Sequence, residues 1–190
     1  DKKDMTTLPV FFAPKNIPNG KKKIAVIEEF ITEGVDPGVR NVVENAIRVY
    51  EKSGYVIEKI SLPMIKYALA IYYVVIPAEI SSNLSRYDGI RYGNRAEGLM
   101  GLEEVYAKTR SNGFMPENKR RIMIGNYVLS SGYFDAYYQK AQKARTLLIK
   151  EFTKALDNYD ALIGPVVRTP AFKIGSKRSD PLTRYLEDFM

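Results

Sequence analysis

The stretch "KIAVIEEFITEGVDPGVRNVVENAIRVYEKSGYVIEKI", Lys23 to Ile60, decides the fold. Ile24 to Ile27 form a near-continuous apolar run, the pattern of a strand covered on both faces. Asp36 followed by Pro37 is an N-cap with proline at the first helical position. Beyond it Val39, Val42, Val43, Ala46, Ile47 and Tyr50 fall on one helical stripe, and Gly54 ends the helix. Tyr55 to Ile60 supply the next strand. Residues 24–60 therefore read as a β-α-β unit, with parallel strands and a right-handed crossover, and the fold class is α/β.

Upstream, residues 1–23 carry Pro9, Pro14, Pro18 and Gly20 between short apolar pieces and read as an irregular lead-in. Downstream, residues 63–157 are patterned as helices. Pro63 opens a segment toward Arg86 that is apolar nearly all round through Ala78, as in a helix buried inside a larger body, with Pro77 expected to kink or break it. A glycine-containing connection, "RYDGIRYGNR", follows. Leu102 to Thr109 make a short helix and Pro116 starts another. Gly132 precedes a longer one, in which Phe134, Tyr137, Ala141, Ala144, Leu148, Phe152 and Leu156 recur at steps of three or four. Residues 160–190 read as a strand at Ala161 to Ile163 and a tail, with a short helix introduced by Asp180-Pro181. Three strands are few for so much apolar helix, so the sheet is expected to be incomplete within these residues, and the chain to be part of a larger domain.

With 45% apolar and 27% charged residues over 190 positions, the chain has the composition of a folded body. It contains no cysteine and no histidine, which excludes a disulfide framework, thiolate or imidazole metal sites and Ser-His-Asp catalysis within these residues. Any chemistry here falls to carboxylate, lysine, tyrosine or serine. The net charge of +7 favours polyanionic neighbours, but part of it sits in Lys21 to Lys23 and in "SKRSD", which read as solvated loops. The longest apolar run, "YALAIYYVVIPA", spans twelve residues, against the ~20 a membrane-spanning helix needs. It reads as a buried segment, and no membrane is expected.

Chemistry is suggested most by "NKRRIMIG". Arg120 and Arg121 lie near the start of their helix, where open backbone amides favour an anion, and a guanidinium fork can grip a carboxylate through two parallel hydrogen bonds. Against this stands a plain alternative, in which both arginines are solvated and Ile122, Met123 and Ile124 alone explain the segment. Tyr72 and Tyr73 stand in the most apolar run, where each phenol needs a hydrogen-bond partner. Glu79 and Asn83, one helical turn apart, could bond each other. The aromatic runs "YFDAYY" and "IYY" suit core at helical spacing, or stacking platforms. The serine pairs Ser81-Ser82 and Ser130-Ser131 have no evident base.

Taken in order, "SLPMIKYALAIYYVVIPAEISSNLSRYDGIRYG", "TRSNGFMPENKRRIMIGNYVLSSGYFDAYYQKAQKARTLL", "YDALIGP" and "DPLTRYLEDF" resemble the amidase signature family, and within it the A subunits of glutamyl-tRNA(Gln) amidotransferases. The likeness begins with "DMTTLP" and "GVDPGVRNVVENA". It implies part of the amidase signature fold, a mixed sheet flanked by helices. It also implies that glutamine is held by Tyr72 shaping the pocket, Arg121 on the α-carboxylate and Asp188 on the α-ammonium. The family cleaves the amide with a Lys-Ser-Ser triad, in which lysine does the work of the absent histidine. The glycine- and serine-rich signature that carries those serines has no match here, so the resemblance implies a C-terminal portion that supplies substrate-binding walls and is inactive alone.

By the same resemblance the working enzyme is cytoplasmic, releases ammonia from glutamine, and passes it to a B subunit. That subunit uses ATP and Mg to amidate glutamate on tRNA(Gln), and a small C subunit tethers the pair. No cofactor is expected in this chain. A stand-alone amidase of the same superfamily, and a non-catalytic module that binds tRNA or a protein, are the other readings the sequence leaves open.

Overall fold

The computed structural model describes residues 22–31 and 34–176, together with Lys3 and Thr7. Almost all of the lead-in, the helix expected after Asp180 and the candidate Asp188 lie outside the described residues. The described elements follow the order β1 (Lys23–Ile27), a 3-10 turn (Glu28–Phe30), α1 (Pro37–Lys52) and β2 (Val56–Ile60). Next come a 3-10 turn (Pro63–Tyr67), α2 (Ala68–Leu84), α3 (Leu102–Gly113) and α4 (Pro116–Leu129). A π-helical turn (Phe134–Gln139) leads into α5 (Lys140–Leu156), and β3 (Ala161–Ile163) closes the series.

The β-α-β unit forms with the parallel strands expected of it. β1 pairs in parallel with β2, Ile24 opposite Ile57 and Ile27 opposite Ile60. β3 adds on the other side, also parallel, with Ile24 opposite Ala161, which gives the order β2-β1-β3. As the middle strand, β1 has neighbours on both edges and helices over its faces, and its residues from Ile24 to Ile27 are all buried. The flanking strands β2 and β3 are only half-buried. Asp36 caps α1 by accepting from the amides of Gly38 at 2.7 Å and Val39 at 3.4 Å. Gly54 takes the left-handed turn after the helix, with φ of 88°. On the expected α1 stripe Val43 is buried, whereas Val42 is 68% exposed.

Two apolar clusters join the layers. Ile27, Leu62, Ile65 and Ala155, flanked by Phe30, Phe152 and Leu162, tie the sheet to α5. Ile71, Val75 and Ala141, flanked by Val74 and Ala144, tie α2 to α5. Carboxylates fix the entry to α2. Glu29 accepts from the Ser61 hydroxyl at 2.5 Å and the Leu62 amide at 2.9 Å, and Glu151 accepts from the Met64 amide at 3.0 Å, which satisfies amides the first turn leaves open. At the exit, Arg110 donates to the carbonyls of Leu84 at 2.9 Å and Tyr87 at 3.0 Å.

Three expectations need correction. Pro77 does not break its helix, and α2 runs unbroken from Ala68 to Leu84. The backbone of α4 comes up against this turn at Gly125, where a side chain would not fit. A Cβ there would lie 2.5 Å from Ser81 Cβ, 2.7 Å from the Pro77 carbonyl carbon and closer still to its oxygen. The second correction concerns the apolar run, which belongs to a continuous helical stretch, Pro63–Leu84, of 22 residues, long and apolar enough by composition to cross a membrane. Core helices of soluble proteins pass the same test, and here α4 and α5 pack against α2 with no exposed residue between Ile71 and Ala78.

The third correction is at the start of the long helix, where the chain makes a π turn before the α-helical register begins. The expected stripe holds only in its middle. Ala141 is buried and Ala144, Leu148 and Phe152 are half-buried, but Phe134, Tyr137 and Leu156 are exposed, and Ala155 is buried in place of Leu156.

Candidate functional site: an arginine between a phenol and a carboxylate

The apolar length of α2 carries Tyr72 into the packed region, and α4 crosses it closely because Gly125 has no side chain. This crossing brings Arg121 to Tyr72. The Nη1 of Arg121 approaches the Tyr72 hydroxyl at 3.4 Å, between residues 49 apart in sequence. Tyr72 and Tyr73 stack edge to face, with centroids 5.2 Å apart and planes at 84°, so the ring of Tyr72 is braced from one side. The Arg121 side chain is 22% exposed, against 55% for Arg120, so the two adjacent arginines have different surroundings.

The opening of α4 explains the rest of the geometry. Pro116 is its first residue and Arg121 its sixth, a turn further in than the amides that a helix start leaves open. The anion-attracting contribution expected from those amides fades within the first turn. What Arg121 has instead is Glu117, whose Oε1 accepts from its Nε at 2.9 Å. The other carboxylate oxygen of Glu117 accepts from Arg120. Sequence reading missed Glu117, although its signal was present, because glutamate four residues before arginine is the favourable orientation for a helical pair.

Electrostatics match the contacts. The hydrogen bond with Tyr72, and then that with Glu117, outweigh burial and push the Arg121 guanidinium above its already high range. The Arg121 hydrogen bond, opposed by burial and aided by Arg120, holds the Glu117 carboxyl below the usual 4.5. Glu117 is 44% exposed, and an exposed pair at this spacing is worth only about 0.3–0.5 kcal/mol. Such a contact stabilises the fold little, but it fixes where the guanidinium points.

Other sequence candidates fall elsewhere. Glu79 accepts from the Tyr138 hydroxyl at 3.5 Å, and Asn83 from Arg86 at 3.5 Å, so the two do not pair with each other. Ser81 donates to Asn126 at 2.5 Å, which links α2 to α4. Tyr127, Tyr133 and Tyr137 gather with centroids 4.2 to 6.0 Å apart and are exposed, contrary to a core role within these residues. A cleft of about 380 Å³ lined by Lys22, Tyr50, Tyr55 and Asp160 does not reach Tyr72 or Arg121, nor does one of about 410 Å³ lined by Glu28, Arg40, Glu44 and Lys59.

A parallel β-α-β sheet, an apolar helix packed against α4 and α5, and a half-buried arginine held beside a phenol define an α/β protein with a guanidinium fixed at a helix crossing. The chain belongs to the Amidase family, which it matches over residues 1–190. It is 54% identical over 168 residues to the A subunit of the glutamyl-tRNA(Gln) amidotransferase from Geobacillus kaustophilus, covering 88% of this chain and 35% of that protein. With the corresponding A subunit from Latilactobacillus sakei it shares 46% identity over 194 residues, covering 100% of this chain and 40% of the relative. The chain thus spans less than half the length of the curated relatives it matches.

Among solved structures, the A subunit of the glutamyl-tRNA(Gln) amidotransferase from Thermotoga maritima superposes with a TM-score of 0.60 at 37% identity, covering 88% of this chain and 31% of that one. A crystal structure of an amidase superposes at 0.59 with 20% identity over 82% of this chain and 30% of its own, a likeness of fold.

Proposed function

We propose that this chain is part of the glutaminase subunit of a tRNA-dependent amidotransferase, and that it supplies the wall that holds the glutamine substrate. The observation that carries the reading is the approach of Arg121 to Tyr72 at 3.4 Å, on two helices far apart in sequence, in a chain about half identical to amidotransferase A subunits. In this reading Arg121 takes the α-carboxylate of glutamine, Tyr72 shapes the pocket, and Asp188, outside the described residues, takes the α-ammonium. A cation and an anion together match the two charges of an amino acid. The amide is cleaved by a Lys-Ser-Ser triad from sequence outside these 190 residues, so the chain alone is inactive. Ammonia passes to a B subunit, which uses ATP and Mg to amidate glutamate on tRNA(Gln), with a C subunit holding the pair.

The test separates the two nitrogen donors. In the complete enzyme, Arg121→Ala is expected to raise the glutamine KM by roughly two orders of magnitude, the scale of losing a well-oriented charged anchor, while added ammonium chloride still supports amidation. Equal loss with both donors removes the assignment.

A further inference from the structure

We propose that Glu117 is a positioning residue for the amino-acid substrate, holding Arg121 by its Nε edge so that the carboxylate meets only the far end of the guanidinium. The inference rests on the reading of Arg121 given above. It starts from a chemical conflict, since a carboxylate placed beside the residue meant to bind a carboxylate looks like a competitor. The geometry resolves it. A guanidinium can take a carboxylate side-on, through Nε and the neighbouring Nη2, or end-on, through Nη1 and Nη2. Glu117 Oε1 takes Nε at 2.9 Å, which closes the side-on approach. The Nη1 end is the one that reaches Tyr72, at 3.4 Å. Glu117 and Tyr72 therefore set the direction of the fork from its two sides, and the ligand is directed to the end-on geometry.

Charge gives the adjacent arginines separate parts. Glu117 alone would cancel Arg121 and leave nothing to attract an anion. Its second oxygen is shared with Arg120, so the three side chains together carry one net positive charge. Arg120, the more exposed of the pair, restores the charge that Glu117 would otherwise remove.

The experiment uses the assembled amidotransferase, with glutamine and ammonium chloride as alternative donors. Glu117→Ala is expected to raise the glutamine KM roughly ten-fold, less than a misplaced reacting group costs, with kcat and ammonium-supported turnover unchanged. Glu117→Gln keeps an acceptor at the same reach and is expected to restore most of the KM. In an Arg121→Ala background, Glu117→Ala is expected to add nothing further, because the two residues act as one unit.

If Arg121→Ala raises the glutamine KM and Glu117→Ala does not, the positioning role is wrong while the glutamine reading stands. A Glu117→Ala effect that persists in the Arg121→Ala background, or that falls equally on both donors, also overturns it. If Arg121→Ala itself leaves the glutamine KM unchanged, the underlying reading fails as well.

Discussion

Arg120 and Arg121 are chemically identical neighbours that share Glu117, and what separates them is a helical step of about 100°. Arg121 faces α2 and lies half-buried, while Arg120 faces solvent. A pH consequence follows at this scale. The Arg121 hydrogen bond holds the Glu117 carboxyl below 4.5 in the folded chain. A depressed carboxylate contributes fully above its unfolded value and loses that contribution only as pH falls through the lower, folded value. The contact is therefore expected to persist to lower pH than the ionisation of an unpaired glutamate would allow. An NMR titration of Glu117 in the complete subunit should give a midpoint below 4.5 that moves back upward in Arg121→Ala, and a wild-type midpoint at or above 4.5 would contradict the contact. In the exposed tyrosine cluster, the hydrogen bond with Tyr133, together with burial and the neighbouring phenols, raises Tyr127 to about 12. Ultraviolet titration should show a late-ionising phenol component that shrinks in Tyr127→Phe.

At the scale of elements, the packing of α4 on α2 is what creates the site, and it depends on Gly125. Glycine within a helix normally costs about 1 kcal/mol relative to alanine, so propensity alone favours Gly125→Ala. The added methyl, however, would strike the Pro77 carbonyl and Ser81 Cβ, backbone and short side chain that cannot swing away. Overpacking of this kind costs about 1–3 kcal/mol, so the net change is expected to be destabilising. Urea denaturation of the complete subunit should show a lower midpoint and, on the function proposed above, the glutamine KM should rise as Arg121 moves from Tyr72. A neutral or stabilising result would mean that the two helices can separate without loss. At the head of α1, Asp36→Ala removes the acceptor for two amides and is expected to cost about 1 kcal/mol, measurable in the same titration.

At the scale of the whole molecule, large apolar side chains among the described residues are exposed. Met123 is 72% exposed, Val42 68%, Ile149 52% and Leu147 51%, on three different helices. Among the described residues, no further strand pairs with the outer edges of β2 and β3. Relatives that match the chain are more than twice its length. The 190-residue polypeptide expressed alone is therefore expected to bind a hydrophobic dye and to self-associate in size-exclusion chromatography. A monodisperse monomer that unfolds cooperatively would show that these surfaces need no cover.

Local order was legible in the residues themselves. The apolar run at Ile24 to Ile27, the Asp36-Pro37 cap, Gly54 and the strand at Ala161 to Ile163 each depend on a few consecutive side chains, and each formed where the pattern placed it. The resemblance that singled out Tyr72 and Arg121 rested on the order of such residues along the chain. Tertiary structure alone decided which apolar residues were buried, that Pro77 left its helix unbroken, and that a phenol and a guanidinium 49 residues apart would meet. Periodicity fixes the face on which a side chain stands, but contact across helices depends on how closely two backbones approach, and here that distance is set by one missing Cβ.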